Sequence, residues 1–569
     1  MNNSRSFLVL ALLLVSYLVW NQWQQDYSKS GSTPAATADA PAIPVATTAT
    51  PQGADTPTAS AALPSVAANN AAVPTTPRAS SAELVEIHND VLKLWIDTYG
   101  ANVVRAELLA YPQQPKDYKN PVRLLDNSNE NYFVAQSGLT SVAGSIVAPT
   151  HQDLFTSAQT SYELADGQQS VEVPFTWQDP ASGLVVHKVF VLQRGSYVLA
   201  TRQEIHNGGT QPWSGNAYRQ LQRVAPAAKQ GGLTFTNPEN YSFVGAAWYS
   251  PEDKFNKIAF AKFEKQAPRV SPISAGWIAM LQHYFFAAWL PAANEPESFT
   301  VGETKGSLLT RYWIRAMGPS MTVAAGADAV TEARLYIGPK LQTTLNDVAP
   351  GLALTVDYGV LTVISEPMHW VLAKLHSLTG NWGFAIILLV LLIKLALFKL
   401  SESQFRSMAK MRKLQPRVQA INERYADDRQ KKSQAMMELY QKEKINPLGS
   451  CLPMVVQIPI FLALYWVLLE SVELRHAPFI LWIQNLTAPD PYFVLPILNA
   501  ATMFLTQHLS PTTGMDPMQA KMMKLMPLVF SVMFAFFPSG LVLYWTVNGM
   551  SSLLQQWVIT KRVEAAEKT

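Results

Sequence analysis

The chain has 569 residues, of which 15 % are charged and 48 % apolar, and its formal net charge is +3. This length allows roughly two to four domains, and the overall numbers alone do not identify a membrane protein. The net charge is uninformative as a sum, because the positions of the lysines and arginines decide orientation in a membrane. Cys451 is the only cysteine, which excludes a disulfide framework and a thiolate metal cluster.

The chain begins with an apolar segment from Phe7 to Trp20, preceded by Arg5. No small-residue cleavage site follows, so residues 1–27 are predicted to form an uncleaved transmembrane anchor whose N-terminus is cytoplasmic. A buried core helix is the alternative, because core helices reach this length. Residues 28–82, dominated by Ala, Pro and Thr, are predicted to be a disordered linker.

Residues 83–340 contain short segments rich in β-branched and aromatic residues, such as 92–97 and 171–175. Turn signals separate these segments, including Asn207-Gly208-Gly209 and Gly231-Gly232. The pattern predicts a large, mostly antiparallel β-sandwich. Because the anchor starts in the cytoplasm, this domain is expected to lie in the periplasm.

Residues 356–378 are predicted to form an amphipathic helix that lies on the membrane surface. Its apolar face carries Leu361, Ile364, Met368, Val371, Leu375 and Leu378. The opposite face is expected to be wet and carries Thr362, Ser365, Glu366, His369 and His376. Pro367 is expected to kink the helix.

Five apolar segments follow, and we predict that each crosses the bilayer; the last two divide a stretch of about forty residues, Met522 to Ile559, at Pro538-Ser539-Gly540. They are residues 380–400, 449–469, 492–509, 522–537 and 541–559. With the anchor they predict six spans. Residues 401–446 carry eleven lysines and arginines, whereas 470–491 carry only Arg475. This asymmetry predicts that 401–446 and the tail 560–569 are cytoplasmic and that 470–491 and the Pro538 turn are periplasmic.

Lys394 is the most informative polar residue, because a charge within an apolar helix is costly unless it reaches water, a partner or a headgroup. One interpretation is that its side chain extends to the cytoplasmic edge near Lys399. The other is a water-filled cavity whose positive charge attracts carboxylates of an incoming chain. Candidate lining residues, each of which could instead make an interhelical hydrogen bond, are Gln457, Asn499, Thr502, Tyr544, Asn548, Ser551 and Gln555.

The cytoplasmic segment 401–446 has two runs of helical apolar spacing and predicts a two-helix hairpin. Residues 425–428 supply the turn and N-cap carboxylates. The basic surface fits either a solvated, lipid-facing role or binding to ribosomal RNA or a targeting factor. Candidate contact residues are Met408, Lys410, Arg412, Lys413 and Arg417; for the methionines, ordinary core packing fits equally well.

The sequence contains no Walker-type loop, nucleophile elbow, His-Glu-x-x-His motif or dinucleotide fingerprint. We therefore predict no catalysis, no cofactor and no metal site. Three histidines in β-patterned segments, His187, His206 and His283, are interpreted as structural.

Seven motifs in the C-terminal region resemble those of the YidC family of membrane insertases in order and spacing. They are Asn381-Trp382-Gly383-Phe384, Met408-Ala409-Lys410-Met411-Arg412, Leu414-Gln415-Pro416, Asn446-Pro447-Leu448-Gly449, Pro459-Ile460-Phe461, Asp516-Pro517-Met518 and Phe537-Pro538-Ser539-Gly540-Leu541. The resemblance is strong over 356–560, and the order of anchor, linker and large domain extends it to the whole chain in its Gram-negative form.

The resemblance implies an α-helical membrane bundle of five core spans around a hydrophilic groove, with an N-terminal anchor and a periplasmic β-supersandwich similar to sugar mutarotases. It implies insertion and folding of inner-membrane proteins, alone or with the SecYEG translocon. Lys394, Tyr544 and Trp545 would contact the substrate in the groove. Many members have arginine at position 394 and tyrosine at position 545, so hydrogen bonding here is expected to differ.

Two other functions stay open on the sequence alone. A transporter or channel could use Lys394 as its ion or substrate site, although the C-terminal spans show no internal repeat. A membrane-anchored periplasmic protein could bind or modify carbohydrate in the β-domain.

Overall fold

The computed structural model describes residues 82–226, 242–263, 265, 272–306, 309–425, 428–443, 452–509 and 517–566. The predicted anchor 1–27, residues 28–81 of the predicted linker, and the predicted turn at Gly231-Gly232 lie outside the described residues. So do Cys451 and the motif residues 446–449 and Asp516.

The first part of the described chain forms two nine-stranded sheets. The strands are β1 Leu84–His88, β2 Leu92–Asp97, β3 Asn102–Pro112, β4 Pro121–Leu125, β5 Phe133–Ser141, β6 Thr156–Ser157, β7 Ser161–Glu163, β8 Ser170–Asp179, β9 Leu184–Gln193, β10 Val198–Asn207, β11 Trp213–Val224, β12 Gly245–Ser250, β13 Lys254–Ala259, β14 Trp277–Leu281, β15 Phe285–Pro291, β16 Ser298–Lys305, β17 Thr310–Val323 and β18 Asp328–Pro339.

The strand order is β16-β17-β11-β5-β3-β2-β1-β7 in one sheet, with β4 paired to β3. In the other sheet it is β13-β12-β14-β15-β18-β10-β9-β8-β6. The pair β1–β7 is parallel, while β8–β9, β10–β18 and β11–β17 are examples of the antiparallel pairing found elsewhere. The prediction of a mostly antiparallel β-rich domain is therefore confirmed.

The core of this domain is formed by every second side chain along its strands, as β8 illustrates. Val171, Val173 and Phe175 of β8 are buried, whereas the residues between them are exposed. They share one apolar cluster with Leu94 and Val103 of the other sheet. The two sheets thus face each other across a common core, as in a sandwich.

The second part of the described chain is helical. The helices are α1 Leu345–Val348, α2 Thr362–Thr379, α3 Trp382–Ala396, α4 Phe398–Lys413, α5 Gln415–Arg424, α6 Arg429–Lys442, α7 Leu452–Glu470, α8 Val494–Leu509, α9 Pro517–Phe534 and α10 Ser539–Ala566. A second apolar cluster joins Phe286 and Tyr336 of the sheet, through Leu352, to Leu372 and Val542 of the helices.

The prediction that the polar face of α2 is exposed to water is wrong for two of its residues. Ser365 and His369 are buried, and the Ser365 hydroxyl donates to the backbone carbonyl of Ala463 in α7, at 3.3 Å. The reason is that α7 offers a backbone acceptor, which lets polar side chains of α2 enter the contact.

The predicted two-helix hairpin is also corrected, because three helices cover the segment. A break at Leu414 separates α4 from α5, and Pro416 stands in the first turn of α5. Proline lacks the N–H that a continuous helix would need there, whereas it suits a helix start. The predicted N-cap is confirmed, since the Asp428 side chain accepts from the backbone N–H groups of Gln430 and Lys431.

Within the described residues, no single helix combines the length and hydropathy expected of a membrane-crossing segment. The consecutive pieces Trp382–Ala396 and Phe398–Met411 meet both criteria together, with a bend of 68° between them. Shorter apolar helices are Val455–Glu470, Val494–Gln507 and Leu525–Phe534.

Candidate functional site

Lys394 lies near the end of α3, one turn before the bend at Leu397, and it points toward α10. Its ammonium group donates to the hydroxyl of Ser552 at 2.8 Å. The Ser552 hydroxyl in turn donates to the backbone carbonyl of Asn548 at 2.8 Å. No carboxylate pairs with Lys394 in the part of the chain that the structure describes, and its hydrogen-bond acceptor there is the neutral hydroxyl of Ser552.

A cavity of about 140 Å³ adjoins Lys394. Its lining residues come from α3, α4, α7, α10 and the bend, and they are Lys394, Leu397, Leu400, Ser401, Gln404, Phe405, Gln457, Asn548 and Ser552. The volume exceeds the ~10–15 Å³ that one water molecule requires, so several waters fit beside the ammonium. Lys394 is therefore placed against a polar hollow between helices.

An aromatic layer lies on the side of this cavity toward Pro538. The Gln457 side-chain amide donates to the Tyr544 hydroxyl at 2.6 Å, and Tyr544 is fully buried. The ring of Phe461 lies 6.3 Å from that of Tyr544 and 4.8 Å from that of Trp545. Tyr544 precedes Ser552 by eight residues, or about 12 Å along the helix, so the layer separates the cavity from the Pro538 end.

The Pro538 end is closed by backbone hydrogen bonds to the segment after α7. The N–H of Ser539 donates to the carbonyl of Ala488 at 2.7 Å, and the N–H of Gly540 donates to that of Leu486 at 2.9 Å. The Ser539 hydroxyl also donates to the carbonyl of Asn485 at 3.0 Å. The motif Phe537-Pro538-Ser539-Gly540-Leu541 thus has a structural explanation in this closure.

The motif Asn381-Trp382-Gly383-Phe384 also contacts the segment that follows α7. The Asn381 side chain caps α3 by accepting from the N–H groups of Gly383 and Phe384, and it donates to the carbonyl of Phe479 at 2.9 Å. A Cβ atom at Gly383 would overlap the ring of Phe479, so only glycine allows this close approach.

The structure brings together only some of the predicted groove residues. Lys394, Gln457 and Asn548 line the cavity, and Tyr544 contacts Gln457. Asn499 and Thr502 are buried elsewhere, where Thr502 packs near Gly549 between α8 and α10. Trp545 packs in the aromatic layer, and neither Ser551 nor Gln555 is among the residues that line the cavity.

Sequence reasoning missed Ser552, Ser401 and Gln404. Tyr544, Asn548 and Ser552 recur every four residues, so helical spacing could have identified Ser552 in place of Ser551. The sequence predicts that Ser401 and Gln404 belong to the cytoplasmic segment, because they follow the apolar run. The bend at Leu397 turns them back toward Lys394, and no pattern within the sequence indicates its direction.

The candidate hairpin residues do not form one site. Met411 packs with Leu414, Val418, Met436 and Leu439 in a small core, which favours the packing explanation for that methionine. Arg417 pairs with Glu443 at 2.6 Å.

The remaining hairpin candidates differ in how far the structure describes them. Lys410 and Lys413 are exposed, Met408 is half-buried, and the side chain of Arg412 lies outside the described residues.

Within the residues that the structure covers, no group of three or more His, Cys, Asp or Glu side chains is arranged to hold a metal ion.

Two family models match the chain. One, described as YidC periplasmic domain, matches residues 84–371, and the other, described as 60Kd inner membrane protein, matches residues 374–567. A membrane protein insertase YidC of Pseudomonas putida is 44 % identical over 571 residues, covering 100 % of this chain and 99 % of that protein. The insertase YidC of Azotobacter vinelandii is 44 % identical over 566 residues with the same coverage. A crystal structure of an active YidC insertase covers 84 % of this chain and 93 % of its own, at 17 % identity and a TM-score of 0.38.

Proposed function

The chain belongs to the YidC family of membrane protein insertases, and from this premise we propose that it inserts inner-membrane proteins through the polar cavity at Lys394. The observation that carries the proposal is the Lys394 ammonium, held by Ser552 beside a hollow with no carboxylate among its described lining residues. Such a cation attracts acidic residues of an incoming chain, since attraction is stronger in a low-dielectric medium than in water.

The YidC family consists of inner-membrane proteins that have a periplasmic domain. Beyond this, we propose six spans, formed by residues 1–27, 380–400, 449–469, 492–509, 522–537 and 541–559. Both termini would face the cytoplasm. The support is the excess of lysine and arginine in 401–446, because basic loops stay on the cytoplasmic side during insertion.

In the proposed mechanism, the cavity shortens the hydrocarbon distance that a hydrophilic segment of the substrate must cross. The apolar segment of the substrate then leaves into lipid along α3 and α8, driven by hydrophobic transfer. Both helices carry exposed apolar side chains that suit such a path: Leu391, Leu392 and Leu395 on α3, and Ile497, Phe504 and Leu505 on α8. No nucleotide hydrolysis is required.

Nascent membrane proteins and the phospholipid bilayer are the partners that an insertase requires. We further propose cooperation with the SecYEG translocon, and contact of the basic hairpin with the ribosome or the signal-recognition machinery. The exposed Lys410 and Lys413 support the second contact. Neither a transporter nor a carbohydrate-modifying protein is favoured, because the relatives that match along the full chain are named insertases.

The test is insertion of a small substrate with an acidic tail into vesicles that contain the purified protein. Lys394→Glu should abolish insertion, because the cavity would then repel the acidic tail. Lys399→Glu is the matched control, since Lys399 is an exposed lysine just beyond the bend. Undiminished insertion by Lys394→Glu would overturn the proposed role of the charge.

A further inference from the structure

The segment between α7 and α8 folds back on itself as a short hairpin. The backbone N–H of Leu486 donates to the carbonyl of Ala477 at 2.9 Å, and the N–H of Phe479 donates to the carbonyl of Ile483 at 2.9 Å. The tip of this hairpin, residues 480–482, is therefore held by backbone hydrogen bonds between the two arms that lead to it.

The hairpin tip carries exposed apolar side chains. Leu481 is 74 % exposed, and its neighbour Ile480 is 43 % exposed. The backbone of Leu481 has φ 53°, a left-handed conformation that costs leucine free energy. The Gln484 side-chain amide donates to the Leu481 carbonyl at 2.7 Å and stabilises this conformation. The chain thus spends free energy to present a leucine outward, which indicates contact with an apolar surface.

The position of the tip next to α3 identifies that surface. The side chain of Asn381, which caps α3, donates to the backbone carbonyl of Phe479 at 2.9 Å. The ring of Phe479 lies 5.3 Å from the ring of Phe384, an exposed residue in the first turn of α3. The proposed span 380–400 begins at this same point. The apolar tip is therefore continuous with the exposed side of that span, at the end proposed to be periplasmic.

A cation of the β-domain lies beside the tip. The ammonium group of Lys116, in the turn between β3 and β4, donates to Gln484 Oε1 at 2.7 Å. Since the same amide donates to Leu481, one side chain links the cation to the tip. A second contact fixes the turn in place, because an N–H group of Arg475 donates to the carbonyl of Pro112 at 2.8 Å. An ammonium has three donors, and Gln484 takes one of those of Lys116.

From this juxtaposition we infer that the hairpin tip inserts into the lipid bilayer at its periplasmic face, with Ile480 and Leu481 at the acyl boundary and Lys116 at the phosphate groups. Apolar side chains flanked by a cation suit the boundary at which hydrocarbon meets headgroups. This contact would hold the turn between β3 and β4, and with it the β-domain, at one height above the membrane. The inference rests on the membrane orientation proposed above. A protein partner is the competing occupant, and it would leave the tip in water when only lipid is present.

The test measures the depth of a nitroxide spin label on the full-length protein in vesicles of phosphatidylcholine and phosphatidylglycerol. Cys451→Ser removes the native cysteine, and the label is attached at Leu481→Cys, Leu395→Cys or Val330→Cys. Collisions with oxygen, which concentrates in hydrocarbon, are compared with collisions with a water-soluble nickel chelate. Labels at 481 and 395 should collide more with oxygen. The label at 330, an exposed apolar position on β18, is the matched control and should collide more with nickel.

The label at 395, within the proposed span 380–400, separates failure of the inference from failure of the proposed orientation. A lipid signal at 395 with an aqueous signal at 481 would overturn the inference alone, and it is the result that a protein partner predicts. Aqueous signals at both positions would overturn the orientation and the inference with it. Ile480→Cys repeats the measurement at the neighbouring position, which guards against a local change of backbone in the variant at 481.

The role of Lys116 is tested in the same way. Lys116→Glu should move the label at 481 toward water in vesicles that contain phosphatidylglycerol, because the new carboxylate is repelled by the anionic headgroups. The shift should be smaller in vesicles of phosphatidylcholine alone, which carry no net charge. A shift of equal size in both lipids, or no shift in either, would overturn the placement of Lys116 at the phosphate groups.

Discussion

The His369 Nε2 atom lies 4.0 Å from the Glu473 Oε2 atom, where α2 packs against the segment after α7. Burial raises the pKa of Glu473 to about 7, partly offset by backbone hydrogen bonds, and it lowers the pKa of His369 to about 4. Between these two values the acid is protonated and the imidazole is neutral. The two side chains therefore lie next to each other uncharged and without a hydrogen bond between these atoms, and deprotonation of Glu473 places a charge in this buried contact.

Stability should fall as the pH rises through this range. The folded pKa of Glu473 is above its ordinary value of 4.5, so its stabilising contribution is complete below pH 4.5 and is lost as the pH passes 7. The total loss is on the order of 3 kcal/mol. Glu473→Gln should therefore raise the Tm relative to the wild type at pH 8 and have little effect at pH 4.5, as measured by thermal unfolding in detergent.

The control for this prediction is Glu366→Gln, which changes an exposed glutamate of α2. Its unfolding curve should follow that of the wild type at every pH. A constant offset between Glu473→Gln and the wild type from pH 4.5 to 8 would contradict the assigned pKa.

The charge of Lys394 should matter more than its hydrogen bond. Lys394→Arg should retain insertion, and Lys394→Gln should lower it about tenfold, because the amide keeps a donor but loses the attraction for acidic residues. Ser552→Ala should stay within about twofold of the wild type, since water in the cavity can replace the hydroxyl. Initial rates of insertion into vesicles measure all three. If Ser552→Ala were as defective as Lys394→Gln, the hydrogen bond would be the essential feature.

Gly383→Ala should destabilise the protein by about 1–3 kcal/mol, because the added methyl group overlaps the ring of Phe479. Adding Phe479→Ala should recover part of the loss, since it removes the overlapping ring. Gly380→Ala provides the comparison: Gly380 has φ 65° and open space around it, so its cost is backbone strain. Thermal unfolding of the single and double variants should show recovery for Gly383 only, and recovery for Gly380 as well would argue against a specific contact.

Asp428→Ala should destabilise α6 by about 1 kcal/mol, because two backbone N–H groups lose their acceptor. Hydrogen exchange of the amides in the first turn of α6 should become about fivefold faster, while α7 remains unchanged. Glu438→Ala, an exposed position on the same helix, should leave exchange unaltered. Unchanged protection in Asp428→Ala would mean that the hairpin core at Leu414 and Val418 alone holds this helix.

The sequence by itself determined which residues share a face of one strand or helix. Alternation in segments such as Val171 to Phe175 indicates a β-rich domain, and Lys394 is conspicuous because it interrupts an apolar run. These features follow from side-chain periods of two residues in a strand and 3.6 residues in a helix, and both periods can be recognised in the amino-acid sequence alone.

Only the tertiary structure decided which faces meet. The bend at Leu397 turns Ser401 and Gln404 toward Lys394, a backbone carbonyl of α7 admits Ser365 into a buried contact, and Thr502 is directed to Gly549 and not to the cavity. The physical reason is that periodicity specifies a surface on each helix but not its partner. The partner depends on how all the helices pack together, and that packing is a property of the whole chain.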